Sequence, residues 1–306
     1  MNVEKMFTTI DTHVAGEAFR IIVHSAITLH EKNLELNQAL VEEKYRHEKE
    51  LLLNEPRGHR GMNGCIVIPS NTADFACVFV NHDHDVQFKY AGLVASVTAL
   101  LETGNLAKKE NNVYDIDTVN GIHSVYASFE NQEVCTTRIK SGACQLAETT
   151  DDYRLVEIDQ SRSYLIYDLP ETIAGIRVED LASIKKWGME TAEQMRSKCI
   201  LFDGIVITEP HNEKRNEVRS VTFEKDGSIL RSPGIDSTFA ILTVLSNGTK
   251  PLTELTNYSI FDSKLTATFI TETNNRFSVE TQGFVTGIHQ FIYDQEDPLQ
   301  NGFLLQ

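Results

Sequence analysis

The order of apolar and polar positions predicts a chain of many short strands and a few helices. Residues 19–26 are rich in β-branched side chains, and the apolar runs 65–68 and 76–80 have the length of strands. Residues 29–53 are charged and carry leucines for one face, a pattern that predicts a helix. Strands are also expected over most of the stretch 259–293.

Two segments are apolar on almost every side and therefore predict buried helices, at residues 92–104 and 236–248. In the first, apolar side chains recur at positions 93, 94, 97, 100 and 101, which is helical spacing. Gly104 is placed to end the first helix. Asp236 or Ser237 is placed to cap the start of the second.

Each buried helix follows a turn and lies among strands, and this layout predicts an α+β protein with two similar halves. Residues 1–125 are expected to form the N-terminal half and residues 126–306 the C-terminal half. The last strands, from about residue 280, are expected to pack back on the first half. No residue-level repeat accompanies the layout, so the pseudo-symmetry is inferred from the order of elements alone.

Composition and charge exclude several classes of function. Hydrophobic residues make up 41% and charged residues 24% of the 306 positions, as in soluble globular proteins. The net charge of −16 argues against a nucleic-acid partner, because phosphate binding needs a basic face. No apolar run approaches the roughly 20 residues of a membrane helix, and the first residues lack the layout of a signal peptide. We therefore expect a cytoplasmic protein without a membrane partner.

The cysteines and histidines show no clear metal or disulfide pattern. The five cysteines are odd in number, and no pair has the CxxC spacing of a zinc site. Residues 82–85 read HDHD, which fits a metal site or a polar loop, and His82 and His84 would share one face of a strand. We expect the polar loop, with no metal and no cofactor.

Several segments resemble signature segments of the proline racemase family, in the same order along the chain. They are residues 10–20 (IDTHVAGEAFR), 55–59 (EPRGH), 73–75 (ADF), 97–104 (VTALLETG), 231–233 (RSP) and 286–303 (from TGIHQF to GF). The resemblance implies the fold of diaminopimelate epimerase, in which two pseudo-symmetric domains each wrap a β-barrel-like sheet around a central helix. It also implies an active site in the cleft between the domains.

The chemistry implied by the resemblance depends on two cysteines, one at the N-terminus of each central helix. One removes the α-proton of proline or hydroxyproline as a thiolate, and the other returns a proton to the opposite face. Aligned without gaps, these cysteines fall on Lys89 and Gly234. The substrate-contacting histidine becomes Ala91, and the aspartate that pairs with the substrate amine becomes Leu230. Cysteine-dependent racemisation is therefore predicted to be absent.

Further departures fall in the same two turns. Two family glycines that let backbone amides approach the substrate carboxylate become Ile235 and Ser237. The positions that differ from the family pattern thus lie in the implied pocket, whereas the matching segments elsewhere serve to build the fold. The ligand-binding positions implied by the resemblance are Tyr90, Ala91, Gly92, Leu230, Gly234, Ile235, Ser237 and Thr238.

Two functions fit this altered site. In the first, the protein is an isomerase or lyase of a small carboxylic acid, with Lys89 as a base whose pKa the helix dipole lowers and Asp236 as an acid partner. In the second, Lys89 is a solvated lysine, Asp236 caps a helix, and the protein binds a small ligand or a partner protein without catalysis. A small carboxylate-type ligand suits the site, and relatives of this kind commonly form homodimers.

Overall fold

The chain divides into two compact units. The computed structural model describes residues 4–29, 33–82, 88–159, 162–212, 214–225, 227–248, 250–270 and 275–304. Unit 1 comprises Met1–Val14, Ala18–Thr137 and Gln282–Gln306, and unit 2 comprises Ala15–Glu17 and Arg138–Thr281. The C-terminal segment of the chain therefore belongs to the same unit as most of the N-terminal segment.

Many short strands and a few helices make up the chain, as the sequence predicts. The first elements are β1 Lys5–Val14, β2 Glu17–His24, α1 Leu34–Lys44, α2 Arg46–Leu53, β3 Met62–Ile68, β4 Phe75–Val80, α3 Tyr90–Glu102, β5 Val113–Thr118, β6 Gly121–Glu130 and β7 Glu133–Lys140. The later ones are β8 Gln145–Thr149, β9 Arg154–Glu157, β10 Ser163–Asp168, α4 Leu181–Ser197, β11 Gly204–His211, β12 Lys214–Glu224, α5 Ile235–Ser246, β13 Glu254–Tyr258, β14 Lys264–Phe269, β15 Phe277–Thr281 and β16 Gly283–Tyr293.

The strands of unit 1 lie in the order β16-β1-β2-β3-β4-β5-β6-β7. The pairs β2·β3 and β4·β5 are parallel. A parallel pair needs a crossover connection, which α1 and α2 provide for the first pair and α3 for the second. The pairs β1·β16, β3·β4 and β5·β6 are antiparallel, and in the first of them Lys5 lies opposite Tyr293 and Val14 opposite Gly283.

Unit 2 repeats this connectivity. Its strands lie in the order β15-β14-β13-β12-β11-β10-β9-β8. The pairs β10·β11 and β12·β13 are parallel and are connected through α4 and α5, while β11·β12 and β13·β14 are antiparallel. The alternation from β10 to β14 is the same as that from β2 to β6, so the predicted pseudo-symmetry of the two halves is confirmed.

Helix α3 is the central helix of unit 1. It packs against β1, β3, β6 and β16, which come from both ends of the strand order, so the sheet wraps around it. Every residue from Tyr90 to Leu101 is buried, because a helix surrounded by a sheet has no face toward solvent. The helix begins at Tyr90, before the predicted residue 92. Gly104, in a left-handed conformation (φ +74°) just beyond the C-cap, ends it as predicted.

Helix α5 holds the equivalent place in unit 2, against β8, β9, β10, β13 and β14. Its N-cap is Gly234, which has no side chain with which to cap the first turn. The predicted cap by Asp236 or Ser237 is therefore wrong. The reason is tertiary, because Asp236 accepts a hydrogen bond from Arg162 and Ser237 accepts one from Thr222 of β12.

The helix predicted over residues 29–53 is two helices. Asn33 caps α1, and its side-chain oxygen accepts from two backbone N–H groups of the first turn at 2.7 and 3.3 Å. Tyr45 separates α1 from α2 with a non-helical backbone conformation. Among the helices of the described residues, none has the length and apolar character needed to cross a bilayer.

Candidate functional site

The start of α3 places a lysine at the positive end of a helix. Lys89 is the N-cap, its backbone is extended (φ −131°), and its side chain makes no capping hydrogen bond. The side chain is partly buried. Burial raises the pKa of Cys65 on β3, and the nearby charge of Lys89 opposes that rise. Lys89 thus adds a full charge to the partial positive charge of the helix N-terminus, an arrangement that suits an anionic ligand.

Aromatic rings pack around the same helix start. Phe88 stacks on His123 of β6 with ring centroids 4.6 Å apart, and it meets Tyr90 edge-on at 5.0 Å. Tyr90 is fully buried, and Ala91 is 1% exposed. These two predicted ligand-binding positions therefore contribute to the interior of unit 1. Sequence reasoning missed His123, because its place beside this helix depends on a strand that is remote in sequence.

Close packing explains the glycine in the first turn of α3. A Cβ at Gly92 would lie 2.4 Å from Cε1 of Phe79 and 3.1 Å from Cε1 of Phe19. The shorter distance is below any ordinary contact, so a larger residue would force the Phe79 ring to move. The absence of a side chain at this predicted ligand-binding position lets the helix approach the sheet.

The start of α5 brings together three predicted ligand-binding positions. Gly234 has a left-handed backbone (φ +71°), which L-residues with a side chain rarely adopt. A Cβ at this position would lie 2.8 Å from Cδ2 of Leu230 and 3.0 Å from Oγ of Ser237. A side chain at position 234 would therefore need both a strained backbone and a displacement of Leu230.

Buried hydrogen bonds fix the shape of this turn. Thr238 Oγ1 donates to the carbonyl oxygen of Gly234 (2.6 Å) and accepts from Nδ2 of Asn257 on β13 (3.0 Å). Ser237 Oγ accepts from Thr222 Oγ1 (2.7 Å). Four residues that form or contact this turn are at most 1% exposed: Ile235, Ser237, Thr238 and Asn257. The polar groups of the turn are thus engaged inside unit 2.

Asp236, the candidate acid, belongs to a buried ion pair. Arg162 Nη1 donates to Oδ1 of Asp236, while Nε and Nη2 of Arg162 donate to Oδ2 of Asp159 at 2.8 and 2.5 Å. The side chains of Arg162 and Asp236 are 3% and 9% exposed. Burial disfavours the guanidinium charge, but the two carboxylates outweigh it and raise the pKa of Arg162 above its ordinary value. A carboxylate held by a permanent cation is poorly suited to donating a proton.

All five cysteines are among the described residues, and none lies in the first turn of either central helix. Cys65 and Cys77 are buried on β3 and β4, Cys135 lies on β7, Cys144 is buried next to β8, and Cys199 follows α4. Burial raises the pKa of Cys65 well above its usual value and that of Cys144 to about 11. Both thiols therefore stay protonated at neutral pH, which makes them poor bases and nucleophiles.

The HDHD run falls mostly outside the described residues, which include His82 but not residues 83–85. The ring nitrogens of His82 lie 3.2 Å from Oδ1 of Asn54 and 3.2 Å from the carbonyl oxygen of His59, so this side chain bridges the end of α2 and the segment that follows it. Within the part of the chain that the structure describes, no group of three or more histidine, cysteine, aspartate or glutamate side chains is placed to hold a metal ion.

Known proteins of one family resemble this chain over its whole length. The family model described as "Proline racemase" matches residues 9–160. A trans-3-hydroxy-L-proline dehydratase from Bacillus cereus is 29% identical, with 100% of both chains covered. A proline racemase from Acetoanaerobium sticklandii is 24% identical, with 99% of both chains covered.

A solved structure shows the same fold. The crystal structure of a hydroxyproline epimerase from Agrobacterium vitis, with bound trans-4-hydroxy-L-proline, matches with a TM-score of 0.84 at 20% identity. The match covers 100% of this chain and 96% of the epimerase chain. The fold expected from the sequence, two pseudo-symmetric halves each with a sheet around a central helix, is therefore confirmed.

Proposed function

Because the chain belongs to the proline racemase family, we propose that it is a member without two-thiol chemistry, which binds a small carboxylate-type ligand and does not racemise or epimerise it. The positions aligned with the two family cysteines, Lys89 and Gly234, are the N-caps of α3 and α5. The helix ends at which the resemblance places thiols are thus present in the fold, but they begin with a lysine and a glycine.

The start of α5 is the observation that carries this proposal. Gly234 has a left-handed backbone with Leu230 against it, and the carboxylate of Asp236 is paired with Arg162. This helix end therefore presents neither a thiol nor an unpaired carboxyl group. Two-base racemisation needs a proton donor on the second face of the substrate, and these residues do not supply one.

The start of α3 supports the binding half of the proposal. The ammonium group of Lys89 and the partial positive charge of the helix N-terminus both favour an anion, and a carboxylate can accept charge-assisted hydrogen bonds there. The overall charge of −16 does not oppose such binding, because the local field at a partly buried site decides it.

A second function, an isomerase or lyase of a small carboxylic acid with Lys89 as the base, is favoured by one observation. The lysine is partly buried at the positive end of α3, where the helix dipole disfavours the charged ammonium and so favours the neutral amine, the form that can accept a proton. Its proposed acid partner, Asp236, accepts a hydrogen bond from Arg162, and a carboxylate in such an ion pair is a poor proton donor. The non-catalytic function is therefore preferred.

Hydrogen exchange at carbon separates these two functions. The protein is incubated in D₂O with a panel of amino, imino and hydroxy acids, and deuterium at the α-carbon is measured by mass spectrometry for wild type, Lys89→Ala and the exposed-lysine control Lys185→Ala. We expect no exchange with any of the three, while the Acetoanaerobium sticklandii racemase exchanges the α-proton of proline as a positive control. Exchange by wild type that Lys89→Ala abolishes would establish the lysine-base function instead.

Binding is tested with the same variants and acids by thermal shift and calorimetry. A carboxylate that raises the melting temperature of wild type should bind Lys89→Ala about tenfold more weakly, because the variant lacks a charge-assisted contact. Lys185→Ala should bind it as tightly as wild type. If no acid of the panel binds, or if Lys89→Ala binds equally well, the ligand site at α3 is wrong.

The remaining expectations stay predictions. The composition and the charge of −16 support a cytoplasmic location and the lack of a nucleic-acid partner, and a homodimer is only what the resemblance implies. A partner protein in place of a small ligand would appear as binding without any response to the carboxylate panel.

A further inference from the structure

The strand order of unit 1 ends at β16, and within the described part of the chain only β1 is paired with it. An edge strand presents backbone N–H and C=O groups on its open side, and these groups can pair with a strand of another molecule. We propose that β16 binds a second copy of this chain: the two copies pair their β16 strands antiparallel, edge to edge, and form a closed homodimer. Neither the ligand nor the chemistry of the site at α3 enters this proposal.

Strand β16 lacks most of the features that keep an edge strand from pairing. Its sequence, GFVTGIHQFIY, contains no aspartate, glutamate, lysine, arginine or proline, although 24% of the chain is charged. The register with β1 shifts once, between Asp11 and Thr12, and it is regular from Gly287 to Tyr293. Charged side chains, prolines and bulges are the usual protection of an edge strand. The regular stretch of β16 therefore stays open to another strand.

The equivalent edge strand of unit 2 is protected. Strand β8 lies next to β9 and β10 in the order of unit 2, as β16 lies next to β1 and β2 in unit 1. It has five residues, whereas β16 has eleven. It also carries the charge of Glu148, and its register with β9 shifts between Leu146 and Glu148. Two strands in the same place of the fold thus differ, and only β16 has a long uncharged edge.

Apolar side chains are exposed beside the open edge. Ile288 of β16 is 62% exposed, and Met6 of β1 is 53% exposed. Met6 lies opposite Ile292, and Ile288 precedes Ile292 by four residues, so all three side chains lie on one face of the sheet. Burial of this apolar strip between two copies would add a hydrophobic contribution to the backbone pairing.

The distribution of charge favours a second copy as the partner. The chain carries a net charge of −16, so two copies repel each other over most of their surfaces. They can approach closely where the local charge is low, as it is along β16. A strand can pair antiparallel with an identical strand around a twofold axis, and both copies then make the same contacts. Because each copy uses its open edge in the pairing, the assembly ends at the dimer.

Sedimentation velocity of the full chain over a range of concentrations tests this interface with wild type, Ile288→Lys and the matched control Ile122→Lys. Ile122 is 52% exposed, but it lies on β6, between β5 and β7. We expect wild type and Ile122→Lys to reach twice the chain mass of 34.5 kDa with the same dissociation constant. Ile288→Lys places two cations in one interface, so it should raise the dissociation constant on the order of a hundredfold, about tenfold for each copy.

A wild type that is monomeric at every concentration would overturn the proposal and leave the β16 edge to a strand of another protein. A dimer that both lysine variants weaken equally, or that neither weakens, would overturn it by placing the interface elsewhere. If circular dichroism shows that Ile288→Lys does not fold, Gln290→Glu at an exposed position of the same strand replaces it, with a loss of at least about tenfold expected.

Amide hydrogen exchange of wild type adds a readout that requires no substitution. Backbone amides of β16 should exchange more slowly at concentrations that favour the dimer than at those that favour the monomer, because pairing protects them. Amides of β8 should exchange at the same rate at both concentrations. A dimer without added protection in β16 would contradict the edge-to-edge pairing.

Discussion

The two central helices are alike in length, burial and place in their units, yet they begin in opposite ways. Helix α3 follows Lys89, a cation on an extended backbone. Helix α5 follows Gly234, on a left-handed backbone, and carries the anion Asp236 in its first turn. The N-terminus of a helix has a partial positive charge, so the anion stabilises its helix and the cation opposes it.

This difference separates residues that serve the fold from those that serve another purpose. Asp236 has a favourable dipole interaction and a buried partner in Arg162, so stability alone accounts for it. Lys89 has an unfavourable interaction with the dipole of its helix, so the dipole gives no reason for a cation at this place. Unit 1 is therefore the better place to look for a retained ligand site.

The largest expected effect in this comparison is the loss of the cation in unit 2. Arg162→Leu should lower the free energy of unfolding by about 3–5 kcal/mol, because the buried carboxylate of Asp236 and the partly buried one of Asp159 both lose this cation. Urea unfolding followed through the fluorescence of Trp187, the only tryptophan of the chain and part of the core of unit 2, measures it.

The control for that variant is Arg154→Leu, which breaks a pair with the exposed Asp168. It should lower the free energy of unfolding by less than about 1 kcal/mol. Equal losses for the two variants would mean that burial of the Arg162 pair contributes nothing beyond an exposed ion pair. The claim that α5 begins with a structural anion would then fail.

A smaller effect is expected at the N-cap of α5. Gly234→Ala should lower the free energy of unfolding by about 2–3 kcal/mol, since it combines a strained left-handed backbone with the displacement of Leu230. Gly104 has nearly the same φ (+74°), but nothing lies within 4 Å of a new Cβ there. Gly104→Ala should therefore lower the free energy of unfolding only through backbone strain, by about 1–2 kcal/mol.

Thermal and urea unfolding by circular dichroism give both values. If Leu230 is the source of the difference, Leu230→Ala in the Gly234→Ala background should remove the extra loss, with a coupling of about 1 kcal/mol. Equal losses at positions 234 and 104 would show that the start of α5 has room for a side chain.

The smallest effect is expected at Lys89. Lys89→Met keeps most of the apolar stem and removes a charge that opposes the helix dipole, so its free energy of unfolding should differ from that of wild type by no more than about 1 kcal/mol. Lys185→Met, on the exposed face of α4, should leave stability nearly unchanged. A clear loss of stability in Lys89→Met would contradict the contrast between the helices and give the lysine a structural role.

Features that depend on local chemistry were predicted well. The apolar periodicity predicted α3, and Gly104 ends it in the left-handed conformation that glycine adopts most easily. The strand runs at 65–68 and 76–80 became β3 and β4 with slightly wider bounds. Periodicity and glycine geometry are properties of a few neighbouring residues, so the sequence contains them directly.

Features that depend on remote partners were missed. The preference of Asp236 and Ser237 for a capping position is a local tendency. In the folded chain both side chains instead accept hydrogen bonds from remote parts of unit 2, from Arg162 and Thr222. His123 was not singled out, because only the pairing of β6 brings its ring onto Phe88. Such contacts depend on which strands meet, and no local pattern carries that information.

The sequence by itself therefore determined the family, the α+β layout and the residue types at the two helix starts, because composition, residue spacing and short motifs are enough to infer each of them. Only the tertiary structure decided what those residues do. It showed that Asp236 is held by Arg162, that Gly234 has Leu230 against it, and that Lys89 is the partly buried N-cap of α3. A charge becomes structural or functional through its partners and its burial, and these exist only once the chain has folded.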